Sequence, residues 1–325
     1  MNAELHVVFG TGPAGSALAE RLLAAGKRVR AVNRSGKAAL PAGAEVVAGD
    51  LLDSGQVRQL CAGAAAVYHC ANVHYAEQTR VMPAFQAAVI DGAARAGAKL
   101  IVLDTLYVYG RTGGLPMNEA MPFAAHTRKG MMRAKLAETY LQAHAAGTVR
   151  VALGRAADFF GPGVRNSSLG DRVFPQALAG ARLQLLGDID LPHSYGYIGD
   201  VARGLATLGE REEALGAGWL LPVAPPVTQR AMAGLIAKQL GRPLRTMATP
   251  KLAIRAFGLF DSFMREFVEM FYQYTESQIV DSRLFEHTFG WAATPLAEAL
   301  AATIDWYRGN EPAAAAAPGS RLGAA

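Results

Sequence analysis

The chain has only two cysteines, Cys61 and Cys70, and they form no C-x-x-C pair. That scarcity excludes a zinc ribbon and a disulfide framework, and no metal site is expected. Cys70 closes an apolar run and reads as a packing residue. No apolar stretch is long enough for a membrane-spanning helix, and no leader pattern is seen. The expected location is therefore cytoplasmic, with no membrane partner. Charge of one sign is never concentrated. Lys and Arg number 32 against 27 Asp and Glu, a net charge of +5, and the basic residues are scattered. Without a basic run interleaved with aromatics, nucleic acid is not an expected partner. A mild positive balance suits a phosphate-bearing ligand. Internal repeats are absent. Low complexity is confined to residues 311–325, where an alanine run precedes Pro318-Gly319-Ser320, and this tail is expected to be disordered.

What is present begins at once. Leu5-His6-Val7-Val8-Phe9 is a short apolar strand, and Gly10-Thr11-Gly12-Pro13-Ala14-Gly15 follows it into an Ala/Leu-rich helix. This is G-x-G-x-x-G in strand–turn–helix context, which reads as a dinucleotide site. Gly10 permits the tight turn, Gly12 close backbone approach to a pyrophosphate, and Gly15 close packing of helix on strand. Pro13 and Ala14 open the helix whose N-terminus faces the phosphates.

Further apolar runs read as strands at Val29–Val32, Glu45–Ala48, Ala66–Cys70, Leu100–Leu103 and Val149–Leu153. Continuous rather than alternating hydrophobicity fits strands buried on both faces. Helical stretches lie between them at Ala14–Ala25, Pro83–Ala96 and Arg128–His144. The alternation predicts an α/β fold, a Rossmann-type doubly wound parallel sheet. After Phe160 the pattern loosens. Val223–Thr228 reads as a strand end and a helix cap. Lys251–Tyr274 carries Phe257, Phe260, Phe263, Phe267 and Phe271 at spacings of three or four, a stripe that packs a smaller lobe. Residues 1–165, with a return at about 195–209, are expected to form the nucleotide-binding domain. Residues 166–194 and 210–310 are expected to form a smaller C-terminal α/β substrate lobe.

Further motifs stand in a telling order. They are Gly49-Asp50-Leu51, Val67-Tyr68-His69-Cys70-Ala71-Asn72, Val108-Tyr109-Gly110 and Phe160-Gly161-Pro162-Gly163. Tyr197-Ile198-Gly199-Asp200-Val201-Ala202, Phe289-Gly290-Trp291, Thr294-Pro295-Leu296 and Asp305-Trp306-Tyr307 complete the series. With the glycine turn, they make the chain resemble an extended short-chain dehydrogenase/reductase, of the NAD(P)-dependent epimerase/dehydratase type. The resemblance covers nearly the whole chain before the tail, and the glycine spacing is that of atypical members.

Strand two ends Val32-Asn33-Arg34-Ser35. An NAD enzyme usually carries an acid here for the ribose hydroxyls. Asn33 is neutral, Arg34 is a multidentate donor, Ser35 adds a hydroxyl, and Lys37 is close in sequence. This favours NADP(H) over NAD(H). The resemblance places Asp50 and Leu51 at the adenine, and Ala71 and Asn72 at the ribose near the nicotinamide.

The same resemblance implies a Ser or Thr, with a Tyr and a Lys four apart on one helix. Thr105 matches the first and Lys135 the last, and Met131 then occupies the tyrosine position. A thioether cannot exchange that proton. Either the alignment slips along the helix or the usual mechanism is absent; the nearest tyrosine, Tyr140, is on the wrong side of Lys135. Lys135 can still hold ribose hydroxyls. Tyr75, His74, Tyr107, His126 and His193 are alternative proton donors. On the substrate side, His193 replaces a common Arg and Asp158 a common Asn, and both changes disfavour a diphosphate. Arg155, Arg165, Arg172 and Arg283 are available for an anion, with a solvated surface as their ordinary setting.

The leading expectation is an NADP(H)-dependent oxidoreductase acting on the carbonyl or alcohol of a small molecule. A non-catalytic NADP(H)-binding redox sensor, like some NmrA-type relatives, is the alternative. A nucleotide-sugar epimerase or dehydratase is third. By analogy with the family, a homodimer would pair through the helices at 83–96 and 128–144.

Overall fold

The computed structural model describes residues 3–257, 259 and 261–310 of the 325-residue chain. The tail 311–325, the Phe260 position and the Phe257 side chain lie outside the described residues. The first half runs β1 (Leu5–Phe9), α1 (Pro13–Ala24), β2 (Arg28–Asn33), β3 (Ala44–Ala48), α2 (Ser54–Cys61), β4 (Ala64–His69), α3 (Gln78–Ala96), β5 (Lys99–Thr105), α4 (Arg128–Ala145) and β6 (Arg150–Ala156). The second half runs β7 (Asp158–Phe160), α5 (Phe174–Ala179), β8 (Leu183–Leu186), β9 (Pro192–His193), β10 (Tyr195–Tyr197), α6 (Ile198–Glu210), β11 (Gly218–Leu220), β12 (Val227–Thr228), α7 (Gln229–Leu240) and β13 (Thr246–Thr249). It ends with α8 (Lys251–Phe257), α9 (Ser262–Phe267), α10 (Arg283–Phe289) and α11 (Leu296–Gly309).

Seven strands form one parallel sheet in the order β3-β2-β1-β4-β5-β6-β11. This is the expected doubly wound Rossmann-type sheet. All five residues of β1 are buried, as its continuous apolar run requires. Side chains from α1 and α6, among them Leu18, Leu22, Val201 and Leu205, pack one face. Val57, Phe85, Val89 and Leu136 from α2, α3 and α4 pack the other. The strand order reverses between β1 and β4, which opens a crevice at the carboxyl ends of the strands.

A third cluster gathers Phe160, Val173, Leu183, Ile236, Leu300 and Ile304, and a fourth joins Leu186, Ile254, Met264, Phe271 and Tyr274. The aromatic stripe feeds this fourth cluster: Phe263, Phe267 and Phe271 follow one another at ring separations of 6.0 and 6.1 Å. The stretch is not one long helix. It divides into α8, α9 and a tight 3-10 segment, Val268–Tyr274, with Asp261 capping α9 at the Met264 N–H.

Two other elements differ from expectation. Helix α3 begins at Gln78, five residues before Pro83. Proline forfeits one backbone bond, but burial of Val81, Met82, Phe85 and Val89 on one face sustains the turn ahead of it. Strand β11 has only three residues and follows Gly216. Its edge position, bonded to β6, makes it a strand more than its composition does.

Candidate functional site

The glycine turn is fixed by backbone contact. Gly10 has φ +95°, and a Cβ there would meet the Ala71 N and Cα at 2.5 Å. A Cβ on Gly15 would lie 1.8 Å from the Gly10 carbonyl oxygen. Gly12 differs: nothing stands within 4 Å of where its Cβ would be. The turn is thus packed against β4 on one side and open on the other. Gly12 caps α1 without a side-chain bond, and Pro13 begins the helix. The N–H groups of the first turn, including those of Ala14 and Gly15, therefore lack intrahelical acceptors and point toward the crevice.

Asn33 organises the adjoining loop. Its amide donates to Thr11 Oγ1 at 2.6 Å and the Lys37 carbonyl at 2.8 Å. Its Oδ1 accepts from the Ser35 N–H and hydroxyl and from the Gly36 N–H. Arg34 stands on this rigid loop, exposed, with no hydrogen-bond or ionic partner among the described residues. Asp50 is exposed and accepts from the Leu52 N–H at 2.9 Å, whereas the Leu51 side chain is buried in the core. Ala71 packs on Gly10, and the Asn72 Oδ1 accepts from the Val73 N–H. Thr105 ends β5 with a buried hydroxyl that has no partner among the described residues. The turn, the Asn33–Ser35 loop and Ala71–Asn72 all meet at the sheet's switch point.

Lys135 is not part of this assembly. Its side chain is 72 % exposed and its ionic partner is Glu138 at 3.9 Å. Met131 is 52 % exposed. The expected pair is corrected by helix phase. Thr127 caps α4 at the Gly130 N–H, and the buried face then runs Lys129, Arg133, Leu136, Ala137 and Tyr140. Lys129 and Arg133, also four apart, turn inward where Met131 and Lys135 turn outward. Arg133 donates from Nη2 to Asn72 Oδ1 at 3.2 Å, and its buried Nε has no partner. Lys129 is 1 % exposed. Its ammonium meets Glu266 at 2.5 Å and Glu269 at 2.8 Å, and lies 4.6 Å from the centre of the Tyr75 ring. The sequence signal that marks this phase is the apolar face of α4 itself.

The segment carrying those glutamates covers the N-terminus of α4. Glu269 accepts from the Arg128 N–H, a favourable place for a carboxylate, and Arg128 also binds Glu266. Met270 Sδ accepts from the Thr127 hydroxyl. Tyr272 meets exposed His126 edge-on at 4.7 Å, and Phe263 meets Tyr75 at 5.3 Å. The Tyr75 and Tyr107 hydroxyls are 3.5 Å apart. Burial, reinforced by the nearby Asp158 carboxylate, raises the Tyr107 phenol above its ordinary range. Tyr75 is raised by burial and by Tyr107. His74 contributes its carbonyl to the turn that precedes α3.

Asp158 and His193 pair with each other at 3.4 Å. Tyr274 donates to the same carboxylate at 3.0 Å and Ser168 at 3.4 Å. Burial opposes ionisation of Asp158, but His193 and these hydroxyl donors outweigh it and hold the carboxyl below the usual range. His193 is stacked between Tyr195, at 4.6 Å, and Tyr274, at 5.8 Å. Of the four arginines, Arg155 departs most from a surface setting. It is buried, bonded to Asp104 and Tyr109 at 3.0 Å each. Arg165 binds Asp171, and Arg283 binds Asp281. Arg172 is half-buried without a partner among the described residues, and burial lowers its pKa.

The larger of two described concavities, about 470 Å³ with Pro225, Asp281, Arg283 and Thr294 in its wall, includes no part of the glycine turn, the inward face of α4 or the Asp158–His193 pair. The site is defined by its donors and glycines rather than by cavity size. Among the described residues, no cluster of three His, Cys, Asp or Glu could hold a metal, and no helix is long and apolar enough to cross a membrane.

A family model described as the NAD dependent epimerase/dehydratase family matches residues 7–219. Among curated proteins, no sequence matches. The solved structure of the epimerase Mth375 from Methanothermobacter thermautotrophicus is similar over 95 % of this chain and 93 % of its own, with TM-score 0.80 and 20 % identity. A double mutant of DesIV, a dTDP-glucose 4,6-dehydratase from Streptomyces venezuelae with NAD and DAU bound, is similar over 94 % and 97 %, with TM-score 0.76 and 20 % identity. The UDP-N-acetylglucosamine 4-epimerase from Bacillus cereus is similar over 96 % and 99 %, with TM-score 0.77 and 16 % identity.

Proposed function

The chain belongs to the NAD dependent epimerase/dehydratase family, and from that premise we propose that it is an NADP(H)-dependent reductase of a small-molecule carbonyl, working without the family's tyrosine. We assign cofactor binding to residues 1–165 with 195–209, and substrate binding to 166–194 and 210–310.

The residues present fit a dinucleotide. Gly12 leaves space where a side chain would stand, and the first turn of α1 offers free N–H groups. Arg34 is an uncommitted cation on a loop with no acid to repel a 2′-phosphate, which supports NADP(H). Arg133, on the inward face of α4, takes the ribose-holding role expected of Lys135, with Asn72 positioning its fork. The NAD in the solved DesIV structure supports the cofactor class.

The observation that carries the chemistry is an unpartnered, buried Thr105 hydroxyl at the end of β5, two residues before a Tyr107 phenol that burial keeps protonated. When bound, the cofactor supplies a hydride. Thr105 donates a hydrogen bond to the carbonyl oxygen and polarises it. Tyr107 gives that oxygen its proton, so the product is an alcohol. Arg133 opposes the charge left on the phenolate, the Tyr75 hydroxyl donates a hydrogen bond to it, and water returns its proton once the product leaves. The raised pKa keeps this phenol protonated, so it stands ready as an acid toward the strongly basic alkoxide and not as a base, which favours reduction over alcohol oxidation. Lys129 is held by Glu266 and Glu269, so it anchors the covering segment rather than donating.

The Asp158–His193 pair disfavours a nucleotide sugar, because a carboxylate stands where a diphosphate would need a cation. The same covering segment supports a second reading, a nicotinamide-binding redox sensor. Calorimetric titration with NADPH and NADH tests the cofactor assignment, and loss of NADPH absorbance with a panel of carbonyl compounds tests turnover. The expected result is NADPH binding at least tenfold tighter than NADH, with oxidation in the presence of a carbonyl. Binding without turnover favours the sensor; binding of neither cofactor overturns both readings.

A further inference from the structure

The substrate side of the site contains more donors than its acceptors can serve. Asp158 is its half-buried carboxylate, and it already receives Tyr274, Ser168 and His193. Glu266 and Glu269 are taken by Lys129 and Arg128. Three groups on or beside the same network remain unmatched among the described residues. Arg172 is half-buried with no acceptor, four residues after Ser168, whose hydroxyl reaches Asp158. The Ser167 hydroxyl is buried without a partner, on the loop that carries Ser168 and Arg172. The Tyr195 hydroxyl is buried without a partner, on a side chain only 3 % exposed, in the strand registered against Asp158.

Two unpaired hydroxyls withdrawn from water, with a half-buried guanidinium lacking an acceptor on the same loop as one of them, are costly unless something satisfies them. We propose that Arg172, with the Ser167 and Tyr195 hydroxyls, forms a subsite for the carboxylate of the substrate. Resting on the reductase reading, this makes the substrate an oxo acid. Its carbonyl meets Thr105 and Tyr107, and its carboxylate forms a planar two-bond pair with Arg172. The adjacent Asp158 charge sets the selectivity. It tolerates a monoanion paired to arginine and repels a phosphate dianion or a diphosphate. Tyr107 and Asp158 each follow by two residues a registered pair on neighbouring strands, Thr105 and Ala156. The proton donor and the carboxylate beside the anion subsite therefore lie at the same end of the sheet.

Two experiments test this. In the first, the full chain is titrated calorimetrically with benzoate, benzamide and inorganic phosphate, with and without NADPH. Benzoate is expected to bind, with benzamide and phosphate at least tenfold weaker. Arg172→Gln should abolish the difference, Arg172→Lys should restore part of it, and NADPH affinity should stay within twofold in both. In the second, kcat/KM for NADPH oxidation is compared for pyruvate, 2-oxobutyrate and phenylpyruvate against their amides. The acids are expected to lead by about a hundredfold, and Arg172→Gln should remove that lead mainly through KM. Equal binding of benzoate and benzamide, preference for phosphate, or an unchanged Arg172→Gln protein overturns the subsite. Benzoate selectivity without NADPH binding leaves the subsite standing and removes the reductase reading. NADPH turnover that is indifferent to the carboxylate does the reverse.

Discussion

The glycine turn and the covered face of α4 lie at the same edge of one sheet, but they are specified differently. At the turn, backbone meets backbone: Gly15 faces the Gly10 carbonyl, and Gly10 faces the Ala71 backbone. A side chain cannot be accommodated there in any rotamer. On α4, the site depends on which way a helix is rotated and on a segment more than a hundred residues away. Lys129 meets Glu266 and Glu269 across sequence separations of 137 and 140. The first region is steric, set by backbone against backbone. The second is remote and electrostatic, and it tolerates a change of chemistry that the first forbids.

The largest expected effect tests the steric side. Gly15→Val should cost about 4 kcal/mol or more, because the new Cβ collides with a carbonyl that cannot move without dismantling the turn. Urea denaturation would measure it, or show that no folded protein forms. Gly12→Ala is the counterpart. Its Cβ enters open space, so stability should fall by less than about 1 kcal/mol, while NADPH affinity drops. If Gly12→Ala unfolds the protein, or binds cofactor as before, the open side of the turn is not where the phosphates lie.

Next comes the electrostatic side. Lys129→Met should cost about 3 kcal/mol, because two mostly buried carboxylates lose their cation. Adding Glu266→Gln and Glu269→Gln should recover much of that loss. Lys135→Met should change stability by less than about 0.5 kcal/mol, as an exposed ion pair contributes little. A large effect at Lys135 with none at Lys129 would reverse the assignment of the α4 face.

This pair also shows how far the sequence was legible. Six of the seven sheet strands and the glycine turn could be read from short apolar runs and a fixed glycine spacing, since both are local properties. The seventh, Gly218–Leu220, could not, because three residues become a strand only by pairing with β6. On α4, a spacing of four describes Met131–Lys135 and Lys129–Arg133 equally well. Only the buried run through Leu136, Ala137 and Tyr140 selects between them, and a lysine in the usual place outweighed it. Glu266, Glu269 and Tyr274 carried no local signal. They read as an aromatic stripe with scattered acids, which is what the segment is until it docks on α4.

A smaller effect separates the regions by pH. His69 ends β4, with both ring nitrogens buried and unpartnered among the described residues. Burial, and secondarily the Arg133 charge, push its pKa down to about 3. The unfolded chain takes up that proton near pH 6.5 and the folded protein does not. Stability from this group is therefore complete above about pH 6.5 and falls as pH drops toward about 3, by up to about 1.4 kcal/mol per unit. At pH 5 the loss is about 2 kcal/mol. His69→Leu should flatten this dependence in denaturation curves at pH 7 and 5. An unchanged slope would assign the acid sensitivity to the carboxylates, Asp158 and Glu266, whose lowered pKa values act in the same direction at lower pH.

The smallest effect lies inside the sterically specified region, where we propose that one side chain decides the cofactor. Asn33 and Arg34 are neighbours with opposite commitments. Asn33 uses both ends of its amide on Thr11, Ser35, Gly36 and Lys37. Arg34 uses nothing among the described residues. Asn33→Ala should therefore loosen the loop and weaken NADPH and NADH alike. Arg34→Ala should weaken NADPH by about tenfold, or about 1.4 kcal/mol for a lost charged hydrogen bond, and leave NADH within twofold. Parallel losses in Arg34→Ala would make Arg34 another shaper of the loop and remove the basis for preferring NADP(H). A selective loss would show that even in the backbone-specified half, the choice between the two cofactors rests on one uncommitted side chain held in place by its neighbour.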